Sequence, residues 1–141
     1  MAPEISVKTS NNYEDAMAVR TKVFVAELHY NNESDDKDAV SKFVTVYVDG
    51  ELAGTGRLYK KGAEEFVFGR IAVIKKYRHR HLGSAIIKAL ESLAEADGGK
   101  TAYILSCSSA VPFYEKLGYA KNECRPVFSE GREHFWMQKS L

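Results

Sequence analysis

The hydrophobic and polar positions along the chain switch between the period of a strand and the period of a helix. Apolar or alternating runs predict strands at 5–7, 43–48, 51–59, 66–74 and 101–107. Apolar residues recur at helical spacing after Asn12 and again from Leu82 onwards, which predicts a helix in each segment. The order is strand, helix, hairpin, strand, helix, strand, short helix and closing strands. This order predicts an α/β protein with a mixed sheet and a βαβ crossover over 66–107.

Cap and turn residues mark where the predicted elements begin and end. Asn11 or Asn12 is suited to cap the first helix, with Asp15 in its first turn. The second helix is predicted to end at the run Asp97-Gly98-Gly99. The sequence VPFYEKL, 111–117, predicts a short third helix that stops at Gly118. The segments CRPVF (124–128) and HFWMQK (134–139) are predicted to be closing strands.

Three further stretches have distinct signals. Asp49-Gly50 between two β-rich runs predicts a hairpin with a type I′ turn. Gly69, inside the apolar run 66–74, predicts a bulge or a close approach of the backbone. The polar stretch NNESDDKDAVS, 31–41, predicts a loop or a mobile lid. Its acids, Glu33, Asp35, Asp36 and Asp38, form either a solvated loop or a surface that attracts a cationic amine.

Composition narrows the class of protein. The 141 residues suffice for one domain, 1–141, and 45% hydrophobic with 28% charged residues is typical of a globular protein. A net charge of +1 leaves no global field for a polyanion. No run is long enough to span a membrane, and the N-terminus lacks a signal-peptide core. The two cysteines lack metal spacing. We therefore expect a cytoplasmic protein with free thiols and no metal, membrane or nucleic-acid partner.

A basic cluster lies at the predicted start of the second helix. Arg78, His79, Arg80 and His81 precede Gly83, at a place where free N–H groups and the helix dipole attract anions. The arginines add guanidinium groups suited to phosphate oxygens. The residues alone leave a phosphate cradle and a merely solvated basic loop about equally open. A metal at His79 and His81 is disfavoured, because no carboxylate or thiol lies nearby in the sequence.

Several segments carry a resemblance to a known family. The stretch GRIAVIKKYRHRHLGSAIIKALE, 69–91, resembles the signature region of the GNAT superfamily of N-acetyltransferases. Arg78 to Gly83 matches the loop pattern Arg/Gln-x-x-Gly-x-Gly/Ala, with His81 where the family usually has glycine. AVPFYEKLGY, 110–119, resembles a later family segment. RTKVFVAE (20–27) and FSEGREHFWMQK (128–139) are similar to small ElaA-like members.

The resemblance implies a fold and a cosubstrate. The expected fold is a single-domain GNAT-like α/β fold, with a mixed sheet of about six to seven strands splayed in the middle and about four helices. The expected cosubstrate is acetyl-CoA. Its pantetheine arm would lie against Ile71, Ala72 and Val73. Its diphosphate would be held by Arg78, His79, Arg80, His81, Leu82, Gly83 and Ser84.

The resemblance also implies the chemistry, which is attack of a primary amine on a thioester. The Val73 N–H would stabilise the oxyanion, and Tyr114 would act as the acid for the leaving thiolate. Some family members carry a glutamate where this chain has Val67. The general base stays open among Glu27, His29, Glu65 and His134, as does water relayed to several weak acceptors. Without the resemblance, Tyr114 would be read as a core residue, as Cys107 is.

Alternatives stay open for the acceptor and for the class of function. A small-molecule amine is favoured as acceptor, with a protein or peptide amine as the alternative. A catalytically inactive, CoA-sensing protein and a nucleic-acid-binding module using KKYRHRH, 75–81, are the competing classes, the second disfavoured by the near-neutral charge. A homodimer through the edge of the closing strands is possible.

Overall fold

The computed structural model describes residues 3–28, 36–122, 126–129 and 131–141. The strands are β1 (Ile5–Lys8), β2 (Lys42–Val48), β3 (Glu51–Gly62), β4 (Glu65–Val73), β5 (Thr101–Cys107), β6 (Ala120–Lys121), β7 (Val127–Ser129) and β8 (Arg132–Ser140). The α-helices are α1 (Tyr13–Arg20), α2 (Leu82–Ala96) and α3 (Val111–Lys116). Short 3-10 helices cover Asp36–Val40, Lys75–Tyr77 and Ser108–Ala110.

The strands form one mixed sheet. Their order is β1-β2-β3-β4-β5-β8-β6, and β7 pairs with β8. All neighbours are antiparallel except β4 and β5, which are parallel and are joined by α2. The α/β class and the crossover are thus confirmed. The described part of the chain holds eight strands and three α-helices, against the expected six to seven strands and four helices. The two-residue β6 is too short to produce a periodic pattern.

The predicted hairpin is present between β2 and β3. Asp49 has φ of 50° and Gly50 has φ of 81°, so both central residues are left-handed as a type I′ turn requires. The strand predicted at 101–107 coincides with β5. The predicted bulge is also present, because the register between β3 and β4 shifts between Thr55 and Arg57. The left-handed residue on the β4 side is Arg70, with φ of 50°, rather than the neighbouring Gly69.

The first helix has a distinctive feature at each end. Asn12 occupies the N-cap position, but its side chain makes no capping bond. Its amide instead donates to the carbonyl oxygens of Phe43, at 2.8 Å, and of Lys8, at 3.0 Å, and so ties the helix start to the sheet. At the other end α1 continues as a π-helix over Thr21–Glu27. Because π-helical segments are rare and are frequently found at functional sites, this continuation is a local signal of function.

The helices cover the sheet from two sides. On one side α2 buries Leu82, Ile86, Ile87, Leu90 and Ala94 in a core that includes Phe66 and Phe68. A second cluster joins Val19 and Val23, from α1 and its π-helical continuation, to Ala72 of β4. No helix in the described ranges is long and apolar enough to cross a membrane.

One acidic residue of the predicted loop has a structural role. Asp38 lies in the 3-10 helix Asp36–Val40 and accepts hydrogen bonds from Arg20, at 2.7 Å, and from Arg57, at 2.9 Å. Both arginines are buried, and a carboxylate between two guanidinium groups satisfies charges that would otherwise be costly to bury. Asp38 therefore does not serve to attract a substrate. Asp36 is exposed, while Glu33 and Asp35 lie outside the described residues.

Candidate active site

The site begins where two central strands separate. β4 and β5 pair over four positions, from Glu65 with Thr101 to Phe68 with Ile104. Beyond these pairs the strands diverge, and the gap between them is a cavity of about 390 Å³. Its walls include residues 69–73 of β4, residues 104–107 of β5, Tyr114 of α3, Arg132 and His134 of β8, and four residues of the π-helix and its C-cap (Val23, Phe24, Glu27, Leu28).

The end of β4 directs backbone groups into this gap. Ile74 donates its N–H to the carbonyl oxygen of Ala53 at 2.8 Å, towards β3. Because successive residues of a strand point their backbone groups to opposite sides, the N–H and carbonyl of Val73 point away from β3 and towards the gap. The same alternation turns Ile71 towards the gap and Ala72 towards β3, where Ala72 is in register with Thr55. The apolar strand thus presents polar backbone groups to the cavity.

A second cavity adjoins the first at the start of α2. It measures about 510 Å³ and shares Val73 and Arg78 with the gap. His79, His81, Leu82, Gly83 and Ser84 also line it, whereas the exposed Arg80 lies over the ring of Tyr77. The first backbone bond of α2 runs from the Ala85 N–H to His81. The N–H groups of the three preceding residues are therefore those available to an anion.

Two residues of this loop show why the GNAT loop pattern has a glycine at each of their positions. His81, the N-cap of α2, has φ of 61°, a left-handed conformation that glycine adopts without steric cost. The histidine fits this conformation but bears the strain that glycine would avoid. A Cβ on Gly83 would lie 3.0 Å from Cζ of Phe113, so the absence of a side chain there also lets α3 pack against α2.

Tyr114 lies between the core and the gap. Its side chain is 8% exposed and its ring packs edge to face against Phe113. Burial raises the pKa of the Tyr114 phenol above its ordinary value, and the nearby Cys107 adds to the rise. The phenol therefore keeps its proton throughout the neutral range and lies at the cavity wall, where it can donate a hydrogen bond. Cys107, at the end of β5, is a half-buried free thiol with its sulfur 3.4 Å from the Ser109 hydroxyl oxygen.

The structure separates the candidate bases. His134 lines the gap opposite Cys107 in the β5–β8 register, with Nδ1 3.0 Å from the carbonyl oxygen of Arg132. Glu27 also lines the gap, in an ion pair with Arg78. Glu65 is at the far end of β4, accepts a hydrogen bond from Tyr103 at 2.8 Å, and lines neither cavity. His29 lies outside the described residues.

Some lining residues were not anticipated from the sequence. Phe113 and Lys116 of α3 line the cavity at the start of α2, and Arg70 and Arg132 line the gap. The three-residue spacing of Phe113 and Lys116 on one helix face could have indicated that they act together. Arg70 and Arg132 carried no such signal. Within the described residues, no group of three or more His, Cys, Asp or Glu side chains is placed to hold a metal ion.

Comparisons with known proteins identify relatives of this chain. Residues 8–141 match the family model of the acetyltransferase (GNAT) domain. A Bacillus subtilis protein, the uncharacterized N-acetyltransferase YjcF, is 35% identical over 96% of this chain and 97% of its own length. A Lactobacillus plantarum protein described as an N-acetyltransferase superposes with a TM-score of 0.88 at 29% identity, covering 100% of this chain and 99% of that one. Escherichia coli ElaA superposes with a TM-score of 0.81 at 20% identity, covering 97% and 99%. The chain therefore belongs to the GNAT family of N-acetyltransferases.

Proposed function

We propose that the protein transfers the acetyl group of acetyl-CoA to the primary amine of a small molecule. The observation that carries this proposal is that two cavities lie side by side and share Val73 and Arg78 in their walls. One cavity has free backbone N–H groups at a helix start, which suits a diphosphate. The other has backbone groups and a phenol around a gap between strands, which suits a thioester and an amine. An aminoglycoside 6'-N-acetyltransferase complexed with coenzyme A shares the fold, with a TM-score of 0.76 at 17% identity.

The two cavities would bind different parts of the cosubstrate. The N–H groups of Leu82, Gly83 and Ser84, with His79 and Lys116 beside them, would hold the diphosphate. Backbone groups of Ile71 and Val73 would pair with the pantetheine arm as a neighbouring strand would. Acetyl-CoA supplies an acetyl group activated as a thioester. The open side of β4 is therefore the side on which the reacting carbonyl is expected.

The reaction forms a C–N bond and breaks a C–S bond. As the amine nitrogen attacks, negative charge gathers on the carbonyl oxygen, and the Val73 N–H is aimed to stabilise it. The amine must lose a proton to a base. Of the candidate bases in the described residues, Glu27 and His134 line the gap, and Glu27 is held in an ion pair, so His134 is the favoured base. The departing thiolate takes a proton, for which the Tyr114 phenol is placed at the cavity wall.

The size of the gap favours a small acceptor. A cavity of about 390 Å³ falls in the range typical of small-molecule sites, which is about 300 to 1,000 Å³. A protein or peptide amine is the second candidate acceptor, and a CoA-sensing protein without turnover is the alternative class. We also expect a cytoplasmic protein, and the closing strands offer an edge through which two copies could pair.

Calorimetric titration with acetyl-CoA tests the cosubstrate. Micromolar binding that persists between low and high salt, with no comparable binding of ATP, would support the proposal. Equal binding of any polyphosphate would contradict it, because a merely basic loop does not discriminate between them. Release of free thiol with a panel of small amines and peptides then tests turnover and acceptor class. Binding of acetyl-CoA without thiol release by any acceptor would favour the CoA-sensing alternative.

A further inference from the structure

The side chain of Arg78 lies between the cavity at the start of α2 and the gap between β4 and β5. Its Nε–H donates to the carbonyl oxygen of Val73 at 2.9 Å. Its Nη1 and Nη2 groups each donate to one carboxylate oxygen of Glu27, both at 2.7 Å. A bidentate pair of this kind fixes both distance and orientation, and its charge-assisted bonds are stronger than neutral ones. The guanidinium thus joins three segments of the chain at one point.

The elements joined by this pair are those that form the two cavities. Glu27 is the last residue of the π-helix, and Val73 is the last residue of β4. Arg78 lines both the gap and the cavity at the start of α2, while Glu27 lines the gap. The pair therefore lies at the boundary between the place expected for the amine and the place expected for the diphosphate.

The pairing changes what each residue is suited to do. Hydrogen bonds from Arg78 are the largest cause that lowers the pKa of Glu27, and the charge of Lys75 adds a smaller effect in the same direction. A carboxylate held in this way is a weak base, and a proton on it would break the pair. Arg78 likewise donates hydrogen bonds from Nε, Nη1 and Nη2 to Val73 and Glu27, and these bonds direct its guanidinium group away from the expected diphosphate site.

We propose that Glu27 and Arg78 are positioning residues, which together fasten the π-helix to the end of β4 and so hold Val73 and the mouth of the gap in place for both substrates. This inference rests on the proposed function. Glu27 is then neither the general base nor an acceptor-binding charge. Arg78 acts through Val73 and Glu27, and the diphosphate is held by the backbone of the α2 start.

The test compares Glu27→Gln, Arg78→Gln and the double variant. Each single change removes the charge-assisted bonds between the two side chains, so the Kd for acetyl-CoA, measured by calorimetry, is expected to rise about tenfold. The double variant is expected to be no worse than Arg78→Gln, because that single change already removes both the bonds to Glu27 and the bond to Val73. Arg78→Lys, which keeps the charge but cannot form the bidentate pair, is expected to recover only part of the affinity.

Steady-state kinetics separate positioning from base catalysis. For Glu27→Gln, positioning predicts higher KM values for both substrates and an unchanged acidic limb in the pH profile of kcat/KM. Loss of that limb, with a fall in kcat of about 10²-fold or more and unchanged KM values, would make Glu27 the base and overturn the inference. So would additive effects in the double variant, or wild-type affinity in both single variants.

A control addresses general effects of removing an ion pair. Glu64→Gln removes the pair between Glu64 and Lys100, 3.1 Å apart, which borders neither cavity, and is expected to leave binding and kinetics unchanged. Melting temperatures of all variants show whether each one is folded. A wild-type protein that binds no acetyl-CoA overturns the proposed function and this inference together. A wild type that turns over, with variants that behave as it does, overturns this inference alone.

Discussion

The rings of Tyr114 and Tyr119 pack edge to face, with centroids 6.1 Å apart, yet their hydroxyl groups have different surroundings. Tyr119 donates its O–H to Glu91 at 2.8 Å, on the side of α2, and Lys139 donates to the same carboxylate at 3.0 Å. Tyr114 instead lines the gap between β4 and β5. Two similar tyrosines thus provide a catalytic candidate and a matched structural control.

Tyr114→Phe is expected to lower kcat by about 10²-fold with little change in KM, because it removes the proton donor and keeps the ring that packs in the core. Tyr119→Phe should cost about 1 kcal/mol of stability, through its lost hydrogen bond, and leave kcat near the wild-type value. Thiol release at saturating substrates measures both. Equal rates for Tyr114→Phe and wild type would remove Tyr114 from the mechanism.

The direction of the Val73 N–H can be tested by deleting it. Val73→Pro removes a donor that faces the gap, so no β3–β4 ladder bond is lost, and kcat is expected to fall by about 10²- to 10³-fold in a folded protein. Ala72→Pro is the matched control, because the Ala72 backbone faces β3. That variant is expected to lower the melting temperature sharply. Near-wild-type turnover in Val73→Pro would show that the oxyanion is stabilised elsewhere.

His81 provides a test of strain at the cradle. His81→Gly relieves a left-handed residue but makes the unfolded chain more flexible, so we expect a net gain in the free energy of unfolding of at most about 1 kcal/mol. Acetyl-CoA affinity should be unchanged or higher, because the backbone of a glycine lets a ligand approach more closely. Urea unfolding and calorimetry measure the two effects. Weaker binding in a stable His81→Gly protein would instead assign the imidazole a direct contact with the ligand.

The buried tyrosines predict a loss of stability at alkaline pH. Burial raises the pKa of Tyr114 and of Tyr119 above the ordinary value of about 10, and hydrogen bonding to Glu91 adds to the rise for Tyr119. As the pH rises, these tyrosines therefore ionise in the unfolded chain before they ionise in the folded protein. The stability that the protonated tyrosines contribute to the folded protein is fully present below about pH 10 and is lost progressively at higher pH. Tyr119→Phe should make the fall in melting temperature above pH 10 shallower. An identical slope in the variant and the wild type would contradict the assignment.

The sequence predicted the elements of the fold well, because the signals for them are local. Asp49-Gly50, the periodic run from Leu82 and the apolar segment 101–107 depend on neighbours a few residues away, and all three predictions are confirmed. The resemblance to the GNAT family predicts a diphosphate cradle at the start of α2 from a contiguous motif, and the binding role of that motif stays a prediction. A contiguous segment also marked Tyr114, although its role is still to be measured.

The tertiary structure decided which side chains meet. Glu27 and Arg78 are 51 positions apart in the chain, and Asp38 is 18 and 19 positions from the two arginines that hold it. The sequence therefore left Glu27 open as a base and Asp38 open as a substrate-attracting charge. Packing also placed Glu65 at the far end of β4 and His134 beside the gap. The chemistry of a carboxylate or an imidazole depends on what lies within a few ångströms, and only the folded chain determines those distances.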